Sequence, residues 1–246
     1  MDITRSPTSL ISHFHPDTLR VMNILFLSDL HVDACPAALP PPAADVVVLG
    51  GGIGVGSAGL AWLNGQGLSV PVVYVPGVLE LSAGIRALDG LAEAVGPNVH
   101  LLYEDAVVIQ GVRFVGSLLW TAVSELDPPE CCFTPEPSEC GLLHADPLRE
   151  SLQIHTPADA RRLHRESRAQ LWRLLVRGSA LRQAQGERLV VVTVHGLASA
   201  EKRPRFAKRL FTQNMLDSVR LPTGIRPPDL WLHGQMVGSV TGVIEI

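Results

Sequence analysis

The sequence predicts an α/β fold, a layered sheet with helices outside it. Three observations carry that prediction. Short apolar runs rich in Val, Leu and Ile recur and end at Gly or Pro. The runs are continuous rather than alternating, the pattern of strands buried on both faces. Helical stretches lie between several of them, and strands alternating with helices define an α/β layer architecture.

The predicted strands are NILFLS (23–28), DVVVLG (45–50), VPVVYVPG (70–77), AVVI (106–109), VRFVGS (112–117), RLVVVTV (188–194) and DLWLHG (229–234). The first predicted helix, AGLAWLNGQG (58–67), has glycines at its end. The second, GIRALDGLAEAV (84–95), places Ile85, Leu88, Leu91 and Val95 on one face. The third spans 157–184. It opens with Pro157, whose missing N–H is no loss in a first turn, and Leu163, Leu171, Leu174 and Leu175 form its apolar stripe. Arg and Glu fill the rest of that helix, which reads as a solvated face. Residues 1–21 read as a loose N-terminal extension, with Met22 as an alternative start. Residues 22–246 read as a single domain with no internal repeat. Segment 121–156 has many Pro, Glu and Cys and no periodicity, and reads as a long excursion from the core, either a lid or a disordered loop.

Composition narrows the class. With 246 residues, 46% hydrophobic and 18% charged, the chain can build a sizeable core and is not generally disordered. A net charge of -4 gives no nucleic-acid or membrane signal. No apolar run reaches the length of a membrane span. The first residues lack the continuous apolar core of an export signal. The cysteines Cys35, Cys131, Cys132 and Cys140 include no C-x-x-C pair. The expectation is therefore a reduced, cytoplasmic protein. No nearby ligand pattern completes a zinc clip from Cys131, Cys132 and Cys140.

The chemistry gathers at the strand ends. In SDLHVD, Asp29 and His31 sit two apart where an apolar run stops, like half of a metal site. Ligands in α/β sheets collect beyond the carboxyl ends of the strands, so the other half belongs at the remaining tips. Those tips read Gly50-Gly51-Gly52, Pro76-Gly77-Val78-Leu79-Glu80, Val194-His195 and His233-Gly234-Gln235-Met236-Val237. Glu80 reads as a loop carboxylate with no assigned partner, and His233 as a strand-end hydrogen bonder. The glycine run at 50–54 lacks the Lys and Ser/Thr of a P-loop, and no suitable acid completes a dinucleotide fingerprint, so nucleotide binding is not expected there.

The run from about 23 to 238 resembles a bacterial, single-domain calcineurin-like metallophosphoesterase. SDLHVD matches the family's Asp-x-His motif in full. VVVLGGGIGVG matches the Gly-Asp motif with Gly52 in place of Asp. YVPGVLE matches Gly-Asn-His-Glu with Val78 and Leu79 in place of Asn and His. VVVTVHGLAS matches the fourth motif, with Val194 or its neighbour His195 at the ligand position. WLHGQMVGS matches Gly-His-Thr-His with Gln235 and Val237 in place of both His. NVHLLYEDAVVIQGVRFVGSLLWT and DARRLHRES also look like this family.

The resemblance implies a layered β-sandwich flanked by helices. It also implies a dinuclear centre of divalent Mn, Fe or Zn that clamps a phosphate and activates a bridging hydroxide. In this chain the substituted positions are Gly52, Val78, Leu79, Val194, Gln235 and Val237, and the residual ligands are Asp29, His31 and His195. Val and Leu cannot coordinate a metal, and Gln is a poor substitute for imidazole. Phosphoester hydrolysis leans heavily on its catalyst, with enzymes supplying up to ~10²¹-fold. The expectation is a phosphoester hydrolase by resemblance whose eroded site leaves a pseudoenzyme, for which a protein partner is conceivable. The alternative is a weak one-metal phosphodiesterase or phosphatase that uses Asp29 and His31 on a small phosphoester. The resemblance implies further strand and loop past the fifth motif, whereas the sequence given stops at TGVIEI (241–246), which is assigned no strand.

Overall fold

Period-two alternation sorts the strands of one sheet between two cores. In β6 (Val112–Ser117), β7 (Arg188–Thr193) and β8 (Leu230–His233), the side chains of Phe114, Val190, Val192, Leu230 and Leu232 join the main core. Their neighbours Val115, Leu189, Val191 and Trp231 form a second core with Leu171 and Leu175 of a long helix. A sheet apolar on both faces must be covered on both, and this one is.

The structure is a computed structural model that describes residues 21–34, 38–39, 42–120, 151, 156–195, 225–234 and 240–246. Its first sheet has five strands in the order β4-β3-β2-β1-β9. The strands are β1 (Asn23–Ser28), β2 (Val46–Gly50), β3 (Val72–Val75), β4 (Val99–Leu101) and β9 (Val240–Glu245). The first four run parallel, and β9 is antiparallel to β1 with Ile24 opposite Ile244. The second sheet has four strands in the order β5-β6-β7-β8. There β5 (Asp105–Ile109) pairs antiparallel with β6, while β6, β7 and β8 run parallel.

Among the described residues, the helices that flank the sheets are α1 (Ala58–Gly65), α2 (Ala87–Ala94) and α3 (Pro157–Gln185). Leu60, Leu63 and Leu91 of α1 and α2 bury into the core that β1, β2 and β3 share. A capping box starts α3: the Asp159 N–H donates to Thr156 Oγ1 at 3.3 Å, and Asp159 Oδ2 accepts the Thr156 N–H at 2.8 Å. The chain is thus a mixed α/β fold with two mixed sheets flanked by helices, as its sequence predicts.

The predicted strands and helices all form, with ends that coincide or shift by at most three residues. Two strands escape the sequence reading. β4 is only three residues long and half-buried, too short to show a period. β9 contains Thr241, Gly242 and Glu245, so its sequence is not an apolar run. Residues 1–20, the four cysteines, Gln235, Val237 and nearly all of 121–156 lie outside the described residues. No helix among the described residues is long and apolar enough to cross a membrane.

Candidate functional site

The carboxyl ends of both sheets meet. Gly234, after β8, sits so close to β2 that a Cβ there would fall 2.0 Å from the Gly50 carbonyl oxygen. Only glycine fits that approach. The Val194 side chain lies 3.0 Å from where a Cβ on Gly51 would be, which brings the tip of β7 onto the tip of β2.

At the first sheet's end, parallel pairing continues beyond the strands. The N–H groups of Asp29, His31 and Val32 donate to the carbonyls of Gly51, Gly52 and Ile53 at 3.0, 3.1 and 2.8 Å. Asp29 and His31 both adopt positive φ, 53° and 49°, a strained choice for non-glycine residues. Ser28 donates its hydroxyl to Asp29 Oδ2 at 2.8 Å. Gly52 has φ 68°, and a Cβ on it would lie 2.8 Å from Asp29 Oδ1 and 3.1 Å from Asp29 Cα. The Asp29 carboxylate therefore occupies the volume that a side chain at position 52 would need.

Glu80 corrects the sequence reading, which gave it no partner. Its side chain is fully buried. Oε1 accepts from Ile53 N at 2.8 Å, Tyr74 Oη at 3.1 Å and Gly54 N at 3.4 Å. Oε2 accepts from Gly77 N at 2.8 Å and Gly52 N at 3.2 Å. One carboxylate thus ties the loops after β2 and β3 together. Burial, then the charge of Glu80 and the hydrogen bond to it, push the Tyr74 hydroxyl well above its ordinary pKa. The glycine run that superficially suggests a phosphate loop spends its N–H groups on this internal carboxylate. Val78 and Leu79 stand between Gly77 and Glu80, and Leu79 is buried.

The second sheet's end is built from rings. His195 is buried, and its backbone N–H and ring Nδ1 both donate to the Leu118 carbonyl, at 3.3 and 3.0 Å. A carbonyl only accepts, so Nδ1 carries the proton in the neutral ring and the lone pair is on Nε2. The His195 ring lies 5.8 Å from the Trp120 ring at a 31° tilt. Helix α3 holds Trp120 in turn: Ser167 Oγ accepts its N–H at 3.1 Å, and the His164 ring bonds its carbonyl through Nδ1. Burial lowers the His164 pKa from its ordinary value. As expected of a strand-end hydrogen bonder, His233 uses Nδ1 to bond the Gly234 carbonyl, at 3.1 Å.

The sequence reading assigned no role to Trp120, His164 or Glu104. Glu104, in the turn between β4 and β5, accepts the Ser117 hydroxyl at 2.8 Å, while its buried Oε2 has no hydrogen-bond partner. Burial raises its pKa from 4.5 to about 7, against the lowering effect of hydrogen bonds from Ser117 and Leu118. Its sequence signal is slight: it is the first of an acidic pair, Glu104-Asp105, that precedes an apolar run.

The strand tips thus gather Asp29, Gly52, Glu80, Val194 and His195 at one end of the molecule. Among the described residues, however, no group of three or more His, Cys, Asp or Glu could hold a metal ion. The described residues do not fit a two-metal centre. Asp29 has one oxygen on Ser28 and the other beside Gly52, and Glu80 is fully engaged with backbone donors.

No protein-family model matches this chain, and a search of curated proteins finds no match. Solved structures of similar fold include the following two. One is phosphopantetheinyl hydrolase (PptH) from Mycobacterium tuberculosis: TM-score 0.46, 15% identity, covering 71% of this chain and 68% of that one. The other is the NAD nucleotidase (NadN) of Haemophilus influenzae: TM-score 0.44, 12% identity, covering 92% of this chain. The chain spans about half of NadN, 47% of its length. Likenesses this distant leave the function to be argued from the site itself.

Proposed function

We propose that this chain is a calcineurin-like metallophosphoesterase in descent and fold, with phosphoester chemistry in its ancestry and without efficient two-metal hydrolysis of its own. The observation that carries this reading is Gly52. The sequence resemblance puts a metal-bridging Asp at that position. Here the residue has no side chain, and the Asp29 carboxylate fills the adjoining volume. Two-metal catalysis needs both ions held about 3.5–4 Å apart around the transferred phosphoryl group. Without a bridging carboxylate nothing sets that separation. On this reading the protein acts by binding, through a protein partner or a retained phosphoester ligand, in the cytoplasm.

A second reading keeps weak one-metal activity on a small activated phosphodiester, with Asp29, His31 and His195 as residual ligands for Mn, Fe or Zn. It draws support from the backbone bonds that pin Asp29 and His31 to Gly51 and Gly52. Hydrolysis of bis(p-nitrophenyl) phosphate under excess Mn²⁺, beside an Asp29→Asn, His31→Ala control, separates the two. Equal rates are expected. Activity above the control would replace the first reading with the second.

A further inference from the structure

We propose that the loops after β2 and β3 form a carboxylate-binding cradle whose resident ligand is the side chain of Glu80. The cradle takes a small free carboxylate when that side chain is cut back. This inference goes beyond the functional reading above and needs neither a metal nor hydrolysis.

The donor geometry selects the ligand. Four backbone N–H groups, from Gly52, Ile53, Gly54 and Gly77, and the Tyr74 hydroxyl converge on two oxygens of one planar group. Each oxygen receives at least two donors: Oε1 from the loop after β2 and from Tyr74 in β3, Oε2 from the loops after β2 and β3. Successive N–H groups around left-handed glycines make an anion-binding concavity, and Gly51 and Gly52 have φ 79° and 68°. A carboxylate has two oxygens and acceptor capacity only, which matches this set. A tetrahedral phosphate matches the set less well: the five donors are directed at two oxygens, and its two further oxygens find no donor among them.

The cradle also reaches the strand tip that carries Asp29 and His31. The Gly52 and Ile53 N–H groups bond Glu80, while their carbonyls accept from His31 and Val32. Glu80 is therefore a positioning residue, setting the loop against which the Asp29–His31 segment lies.

The test is anion-specific rescue of Glu80→Ala, followed by thermal unfolding. In this variant formate can place its two oxygens where the carboxylate was. The expected result is a saturable rise in Tm of about 2–4 °C or more once formate exceeds its dissociation constant several-fold. The wild-type protein and Glu80→Gln should show no such rise, and phosphate or chloride at equal ionic strength should not substitute. Equal shifts in all three proteins, or equal shifts with phosphate, would overturn the proposal. If Glu80→Ala does not fold alone, refolding in formate replaces the melting curve. Recovery of native circular dichroism in formate but not in chloride supports the cradle, and no recovery in formate overturns it. A hydrolysis assay moves with neither outcome, so the cradle and the functional reading fail separately.

Discussion

The two sheets end in the same region but are held there by different physics. At the first sheet's end the contacts are almost all backbone: loop N–H groups meet loop carbonyls, and a single buried carboxylate collects the remaining donors. At the second sheet's end side chains do the holding. The His195 ring bonds Leu118 and lies against Trp120, which Ser167 and His164 of α3 grip from behind. A backbone-built end depends on one acceptor and tolerates changes in side chains that face away from it. A ring-built end spreads its stability over several modest contacts. The difference explains how the apolar Val78 and Leu79 can stand in a loop whose course is held by backbone donors on Glu80.

The largest expected effect follows from the single acceptor. Glu80→Leu leaves four backbone N–H groups and the Tyr74 hydroxyl buried without their partner. At about 1–3 kcal/mol for each unsatisfied group, the loss exceeds about 4 kcal/mol even after relaxation. His195→Gln, at the other end, should cost about 1 kcal/mol. Urea unfolding of both variants measures the contrast, and equal losses would break it.

Next in size is Gly52→Asp, the change that would install the acid that the sequence resemblance implies at this position. At φ 68° and with Asp29 Oδ1 2.8 Å from the new Cβ, it should cost about 1–3 kcal/mol. Adding Asp29→Ala should recover part of that loss, a coupling above about 0.5 kcal/mol in a double-mutant cycle. Strict additivity would show that Asp29 does not guard position 52.

The most gradual effect, spread over more than two pH units and small over any one of them, is a pH dependence at the ring-built end. Glu104 has its pKa raised from 4.5 to about 7 by burial. Between those values the folded chain keeps a proton that the unfolded chain has released. The wild-type contribution is therefore intact below pH 4.5 and is lost as pH rises through about 7, by at most about 1.4 kcal/mol per pH unit. Glu104→Gln should flatten that slope and raise stability above pH 7, as read from denaturant midpoints across pH 4–8. An unchanged slope would mean that another group titrates in that window.

Much of the fold was legible because burial on both faces writes continuous apolar runs. β1, β2, β6 and β7 announce themselves as Val- and Leu-rich segments, and α3 by its leucine stripe and Pro157. β4 and β9 were not legible. β4 is too short for a pattern, and β9 is placed by pairing with β1, from Asn23 opposite Glu245 to Ser28 opposite Val240. The candidate site was legible only as positions. Asp29, His31 and His195 stand out by residue type at strand ends, but their mutual placement depends on loops whose course no local pattern states.

By itself, the sequence determined the layered α/β architecture and the absence of ligating side chains at Gly52, Val78 and Leu79, since both follow from residue type and periodicity. Only the tertiary structure decided what took over. Glu80, three residues beyond Gly77 in sequence, accepts from residues 26–28 positions away, because β2 and β3 pair in parallel and bring their outgoing loops together. The Asp29 carboxylate comes to lie against Gly52 by the same route, through pairing of β1 with β2. Long-range pairing of this kind depends on register between distant segments, and register is settled when the whole sheet packs.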